Sequence, residues 1–373
     1  MAGLYIHIPF CKSRCIYCGF YSTTHAELQQ RYVDAVCREL EERLLPPTMK
    51  SSDFHTVYIG GGTPSQLSQG QLEQLFGKLH GTGVLSSSEE EEVTFEVNPD
   101  DVTAAYAALL VQLGVNRVSM GAQTFDDERL RFLRRRHDSR QVFEAVEHLQ
   151  KAGIGNISID LMYGFPGETV AQWQQDIRSA LSLGAQHLSA YGLMYEEDTP
   201  LYRLLEQGKV EEADEEVCRQ MYYELKDRLE EAGFEHYEIS NFARPGHRSR
   251  HNSSYWNFTP YIGLGAAAHS FDGERRWWNP SHLIYYIEGA GEHGGSETIT
   301  PSMHYDEVVM LRLRTCEGIG LDSELTADER AYCMAAARPF IDDGLLKHDG
   351  CRLRLTRRGL FVSNMVMSGL MKG

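Results

Sequence analysis

The sequence predicts an α/β protein built on a parallel sheet. Through roughly the first 200 residues, six short runs rich in β-branched and aromatic residues alternate with longer helical patterns. Three of those patterns close on glycine (Gly114, Gly153, Gly184), which takes the left-handed conformation of a helix stop at little cost. Repeated β-then-α order requires right-handed crossovers between parallel neighbours. Order alone leaves two arrangements open, a doubly wound sheet and an incomplete barrel.

Strands are expected at residues 4–8, 56–59, 93–97, 117–120, 157–162 and 187–193. Helices are expected at 28–45, 71–79, 103–113, 140–152 and 170–183, with a polar, acidic loop at 86–92. The pattern then changes. A charged helix is expected over 211–232, ended by Gly233, followed by a loop rich in His, Arg, Asn and Ser over 240–254. Residues 255–258 and the Trp277-Trp278 pair make the next stretch aromatic. From about residue 305 come helices at 305–313 and 327–343. Strands at 345–348 and 352–355 flank Asp349-Gly350-Cys351, and a last helix spans 357–367. Asp-Gly between two such runs is a strong hairpin signal. Helix, helix, hairpin and helix together resemble a winged helix.

Lysine and arginine number 36 against 53 acidic residues, a formal net charge of −17. That balance argues against a nucleic-acid partner, because phosphate neutralisation needs a basic surface. Hydrophobic residues at 42% and charged residues at 24% exclude a disordered chain. No run approaches the roughly 18 apolar residues of a membrane span. The first residues carry no basic segment followed by an apolar run, so a cytoplasmic location is expected, where thiols stay reduced.

Eight cysteines in such a chain point to metal or redox chemistry before disulfides. Cys37, Cys218, Cys316, Cys333 and Cys351 are scattered and read as small hydrophobes. Cys11, Cys15 and Cys18 form C-x3-C-x2-C directly after the first strand. A structural zinc wants four closed ligands, commonly in pairs, and no second cysteine pair follows. His7 is the candidate fourth ligand under that rival reading. Three soft thiolates on one short loop suit an iron–sulfur cluster with one iron left open.

With Tyr17 before the last cysteine, the loop resembles that of the radical S-adenosylmethionine (SAM) superfamily. Gly60-Gly61-Gly62-Thr63-Pro64 after strand two resembles its glycine motif. The resemblance implies an incomplete parallel (β/α)6 barrel holding a [4Fe-4S] cluster on Cys11, Cys15 and Cys18, its open iron chelated by SAM. The finer pattern extends over nearly the whole chain. It includes Tyr5-Ile6-His7-Ile8-Pro9-Phe10, Phe95-Glu96-Val97-Asn98-Pro99, Gly121-Ala122-Gln123-Thr124-Phe125, Leu133-Arg134-Arg135-Arg136-His137 and the run 159–167. It is similar to oxygen-independent coproporphyrinogen III oxidase and to the related HemW family of haem chaperones. Family likeness carries SAM contacts onto Tyr5, Tyr17, Gly61, Gly62, Thr63, Glu96, Gln123, Arg135 and Asp160.

Two features favour the HemW family over the oxidase. The oxidase has a further cysteine where this chain has Phe20, so oxidase activity, the alternative reading, is not expected. And His251-Asn252-Ser253-Ser254-Tyr255-Trp256 matches that family's HNxxYW pattern, which implies haem binding with His251 as iron ligand. His247 and His269 remain alternative ligands. The small residues of Gly263-Leu264-Gly265-Ala266-Ala267-Ala268 read as close backbone packing or cofactor approach. The implied partners are haem and haem-accepting proteins, with peripheral membrane contact through the acceptors, by a monomer or homodimer. The expected division is a partial barrel over 1–235, an aromatic and His-rich connecting region over 236–300, and a winged-helix-like domain over 301–373.

Overall fold

The computed structural model describes residues 2–44, 54–85, 91–289 and 294–373. All six expected strands form: β1 (Ala2–Ile8), β2 (Phe54–Gly61), β3 (Glu92–Val97), β4 (Arg117–Gln123), β5 (Asn156–Tyr163) and β6 (His187–Gly192). Each lies parallel to the next in chain order. The crossovers carry α1 (Gln29–Leu44), α2 (Gln69–Gly81), α3 (Ala104–Gln112), α4 (Asp127–Phe132), α5 (Ser139–Ala152) and α6 (Val170–Ser182). Ser68, Asp138 and Thr169 open α2, α5 and α6 with reciprocal capping boxes, fixing where each helix starts.

Side chains alternate across a strand, so each strand has two faces. One face carries Leu4, Ile6, Ile8, Val57, Ile59, Phe95, Val118, Met120, Ile157 and Ile159, all buried in the main core with the helices. The other carries Tyr5, His7, Tyr58, Glu96, Ser119, Ser158, Asp160, His187 and Ser189. There the Tyr58 hydroxyl donates to Glu96 (2.7 Å), and Ser158 is bonded to His187 (2.8 Å). Strands of a parallel sheet with both faces packed in apolar layers read as near-continuous apolar runs. These alternate, because one face is a polar interior.

The sheet does not close on itself; the incomplete barrel is extended at both edges. After α7 (Pro200–Glu206) and α8 (Glu215–Glu231) come β7 (Glu235–Glu238) and β8 (Asn241–Ala243); β8 pairs antiparallel with β6, and β7 antiparallel with β8 at the edge. At the other edge β9 (Tyr261–Leu264) pairs parallel with β1, followed by antiparallel β10 (His269–Phe271), β11 (Arg275–Trp278) and β12 (Gly295–Thr298). The single sheet thus runs through residue 235 and takes in the region expected as a connection. The glycines there serve backbone packing: a Cβ at Gly265 would lie 2.4 Å from the Tyr32 hydroxyl, which donates to the His7 carbonyl (2.6 Å).

Three local expectations change. The loop expected over 240–254 contains β8 and a short helix, α9 (Arg250–Trp256), capped by Ser249. Its polar residues mark a cap and a buried face rather than a solvated loop. Of the acidic loop expected over 86–92, residues 86–90 lie outside the described residues. Glu92 begins β3, held there because its carboxylate accepts the backbone N–H groups of Arg250 and His251 (2.9 Å each). The expected helix 211–232 starts at Glu215, where Asp214 caps it.

Beyond α10 (Leu283–Glu288), the C-terminal part has its own core of Tyr305, Val309, Cys333, Leu353, Val366 and Leu370. It comprises α11 (Pro301–Leu313), β13 (Ile319–Gly320), α12 (Ala327–Asp342), β14 (Leu346–Asp349), β15 (Arg352–Leu355), α13 (Arg357–Phe361) and α14 (Ser363–Leu370). The last two divide at Val362 what the sequence suggested as one helix. Arg314 pairs with Glu238 (3.1 Å) and Arg248 with Glu317 (2.8 Å) across the junction with the sheet. Among the described residues, no helix is long and apolar enough to cross a membrane.

Ile159, fully buried on the interior strand β5, is expected to cost about 2–5 kcal/mol of stability as Ile159→Ala. Met365→Ala, at an exposed position of α14, is expected to cost within about 0.5 kcal/mol. Urea unfolding of the two variants checks the contrast.

Candidate functional site

β1 leads through Pro9 into the cysteine loop, which backbone bonds pin on three sides. The Cys11 N–H donates to the Thr23 carbonyl (2.8 Å), Ile16 N–H to Leu133 (3.3 Å), and Leu201 N–H to Ile16 (2.9 Å). Cys11, Cys15 and Cys18 are free and partly exposed on this loop. The Thr63 hydroxyl reaches the Cys11 Sγ (3.5 Å), and the Arg135 guanidinium reaches the Cys15 Sγ (3.6 Å). Burial pushes the Cys11 and Cys18 thiols up, and each is raised further by Cys15. Gathered thiolates therefore need positive charge, which a metal cluster supplies. Among the described residues, no group of three His, Cys, Asp or Glu is arranged to hold a single metal ion. His7 does not complete a zinc site: one ring nitrogen is bonded to the Tyr5 hydroxyl (2.9 Å) and the other to the Tyr21 carbonyl (3.1 Å). The donor set of three thiols fits a cluster better than an ion.

The glycine run lies under this loop. Gly61 has φ +113°, and a Cβ there would fall 2.5 Å from the His7 ring. A Cβ at Gly62 would fall 2.7 Å from the Pro9 carbonyl carbon. The Gly62 N–H donates to the Ile8 carbonyl (2.8 Å). Glycine is thus demanded first by contact between the ends of β1 and β2. The Gly61 N–H turns inward and donates to Glu96 (3.0 Å), whose other oxygen accepts from Tyr58.

Glu96 is pushed up to about 7, chiefly by burial, with the Tyr58 bond and Arg117 opposing and Asp160 adding. Asp160 is pushed up to about 6 by burial, against bonds from Ser189, Ser119 and Ser158. Gln123 sits at φ +69° where β4 breaks register, so the strand bulges beside Gly121. Arg135 donates to the Gly121 carbonyl (2.6 Å) and to Asn98 (2.8 Å), while its buried Nε has no partner. Tyr17 packs on Leu133, Met162 and Phe165. The cysteines, Tyr17, Gly61, Gly62, Thr63, Glu96, Gln123 and Arg135 therefore gather at or just beyond the carboxyl ends of β1 to β4. On the same polar face Asp160 lies level with Gly121 of β4, and Tyr5 lies further down β1.

His251 does not join them. It is at the opposite end, where a Cβ on Gly3 would touch its ring at 3.1 Å. α9 carries the imidazole into the floor of the barrel, where it is 1% exposed. Its Nδ1 is bonded to the Thr56 hydroxyl and its Nε2 to the Tyr255 hydroxyl (2.9 Å each), and it stacks on Tyr58 (5.1 Å). Burial, with Arg117 adding, pulls it down to about 3. In this arrangement neither nitrogen is free to meet an iron. Trp256 turns the other way, under Arg314 (5.1 Å), into a cleft of about 140 Å³ against the C-terminal part. His269 is exposed and stacked on Trp278, and His247 lies in the turn before α9.

Sequence reasoning missed Arg117. It opens β4, is 1% exposed, and its Nε and Nη1 have no partner. It acts electrostatically on Glu96, Asp160, His187 and His251. The detectable signal was polar alternation in a parallel strand, Arg117-Val118-Ser119-Met120.

Residues 5–180 match the family model described as the Radical SAM superfamily, and residues 299–362 that of the HemN C-terminal domain. The six-stranded parallel half and its three-cysteine loop define a radical SAM protein. The heme chaperone HemW of Bacillus subtilis (strain 168) is 34% identical over 382 residues, covering 100% of this chain and 99% of the relative. The heme chaperone HemW of Synechocystis sp. is 35% identical, covering 93% and 86%. The chain belongs to the HemW family. The solved coproporphyrinogen III oxidase (HemN) of Escherichia coli superposes with a TM-score of 0.83, covering 100% of this chain and 90% of that one. At 22% identity that likeness is one of fold.

Glu96 gives a pH prediction. Its folded value, about 7, lies above the ordinary 4.5, so the folded state holds its proton longer than the unfolded chain does. Its contribution favours folding below about pH 4.5 and is lost as pH rises through 7. Relative to wild type, Glu96→Gln is expected to flatten the fall in Tm across that window, read by thermal melts of the protein without cofactors.

Proposed function

We propose that this chain is a haem chaperone that carries a [4Fe-4S] cluster and SAM and passes haem to acceptor proteins. The observation that carries the reading is full-length similarity to heme chaperones, joined to a loop with three thiols and Phe20 where the oxidase has its further cysteine. In this reading Cys11, Cys15 and Cys18 ligate the cluster. Tyr5, Tyr17, Gly61, Gly62, Thr63, Glu96, Gln123, Arg135 and Asp160 form the SAM site. The cluster supplies an open iron and a redox centre when bound. The protein's own groups do the positioning. Glu96 is fixed by Tyr58 and Gly61, and its free lone pairs suit a ligand's hydroxyl or amino donors. The unpartnered Nε of Arg135 suits a carboxylate beside the cysteines. His251 as a haem ligand requires α9 to withdraw from Thr56, because both its nitrogens are engaged at rest. The protein acts in the cytoplasm as a monomer or homodimer, with membrane contact only through its acceptors.

Anaerobic reconstitution with counts of iron and sulfide tests the cluster. Wild type is expected to hold four irons per chain, and the triple variant Cys11→Ala, Cys15→Ala, Cys18→Ala none; a full cluster in the variant refutes the assignment. Haem titration followed by absorption tests the chaperone reading. With reductant and SAM, coproporphyrinogen III is expected to remain unconverted; sustained conversion would support the oxidase instead.

A further inference from the structure

The carboxyl end of β4 is held from behind by buried charge. Gln123 keeps a left-handed backbone, φ +69°, where β4 breaks register. A residue with a Cβ persists in that conformation only where its surroundings fix it. Here the Thr124 N–H donates back to the Ala122 carbonyl (2.9 Å), closing the turn around Gln123. Asp176, on α6, takes the next two donors. One oxygen accepts the Thr124 hydroxyl (2.6 Å) and the other the Phe125 N–H (3.0 Å). Thr124 is fully buried and Asp176 is 2% exposed, so water does not compete for these bonds. Arg129 of α4 donates to Asp176 (3.4 Å) and to Glu168 (2.8 Å). Glu168 in turn accepts the Gly164 and Phe165 N–H groups (2.7 and 3.1 Å) in the turn after β5. The three charged residues thus clamp the ends of two neighbouring strands.

We propose that Asp176 is a positioning residue of the SAM site, acting through the turn that sets Gln123. The inference rests on the SAM-site reading and adds to it a residue that touches no ligand. Asp176 binds the two residues that directly follow Gln123, so it fixes the direction in which the glutamine side chain leaves the bulge. That side chain lies at the rim. A Cβ on Gly121 would meet the Gln123 Nε2 at 2.8 Å and the Arg135 Nη2 at 3.2 Å, so amide and guanidinium lie together over this glycine. Arg135 reaches on to the Cys15 Sγ (3.6 Å). Gln123 therefore stands between the buried clamp and the cysteine loop. Packing of α6 does not call for an acid at this place. Its neighbours Trp173, Ile177 and Ala180 are buried in the main core, and a carboxylate among them carries a desolvation cost. The donors that offset that cost all come from outside α6, which assigns Asp176 to the loop after β4. A ligand contact needs a side chain held to about 0.5 Å, and a locked turn supplies that precision.

The test is a double-variant cycle on the full chain with its cluster reconstituted, read as the equilibrium affinity for SAM, with iron and sulfide counted in every variant. Gln123→Ala is expected to weaken SAM about tenfold, the loss of one well-placed hydrogen bond. Asp176→Asn keeps the side chain's shape but removes its charge and one acceptor, and it is expected to weaken SAM by a similar factor with iron content unchanged. In the Gln123→Ala background the same Asp176→Asn change is expected to cost less than about twofold more, because the residue it positions is gone. A purely structural role would instead give the full loss in both backgrounds, and that additivity would overturn the inference. Wild-type SAM affinity in Asp176→Asn would overturn it as well. In the protein without cofactors, the Phe125 amide is expected to exchange hydrogen faster in Asp176→Asn than in wild type; equal protection would also refute the clamp. Should Asp176→Asn fail to fold, the cycle is run with Thr124→Val, which removes only the hydroxyl; a several-fold loss of affinity that vanishes in the Gln123→Ala background is expected, and wild-type affinity refutes the inference. If Gln123→Ala itself binds SAM as wild type does, the SAM-site reading fails at this residue, and the inference with it.

Discussion

The ends of β1 and β2 press together with no side chain between them, and the rim of the barrel depends on that contact. The Gly62 N–H closes on the Ile8 carbonyl, and neither Gly61 nor Gly62 has room for a methyl group. Because β2 is that close, Pro9 and the cysteine loop are carried over the rim rather than away from it. Because Gly61 is left-handed, its N–H turns down onto Glu96. Glu96 in turn holds Tyr58, which stacks on His251 at the floor. One backbone contact thus links the loop, the polar interior and the closing helix.

The interior is a concentration of charge held away from water. Glu96 and Asp160 both lie in the field of a buried arginine, Arg117, whose Nε and Nη1 have no partner. Buried carboxylates respond by holding protons up toward neutral pH, and buried histidines by releasing theirs. His187 and His251 are both driven downward. The barrel stays tolerable because serine, threonine and tyrosine hydroxyls connect these groups to one another. Such a network is costly to interrupt, since each member leaves another unsatisfied.

Much of this was legible in the sequence. The βα order, the helix-stopping glycines and the cysteine spacing are local, and they place six strands and the cluster loop without knowledge of any tertiary contact. The HNxxYW segment was less legible. Its His, Asn and Ser residues look like a solvated loop, yet Ser249 caps a helix and Glu92, more than 150 residues earlier, accepts two of its backbone N–H groups. A pairing that distant leaves no periodic trace. The strands of the second edge, only three or four residues each, are also too short for alternation to register. Arg117 is illegible for a different reason: an arginine opening a strand reads as exposed unless the acids opposite are known.

α9 stoppers the barrel, with His251 wedged between Thr56 and Tyr255. The opposite rim is then a way in, and the cysteine loop forms part of its frame. Ligands that enter by that rim share a route, which imposes sequence on their traffic. Whatever lies deeper enters first and leaves last. A second ligand laid over the doorway would slow the first one's escape without touching it, so retention of the inner ligand becomes a clock for occupancy of the outer one.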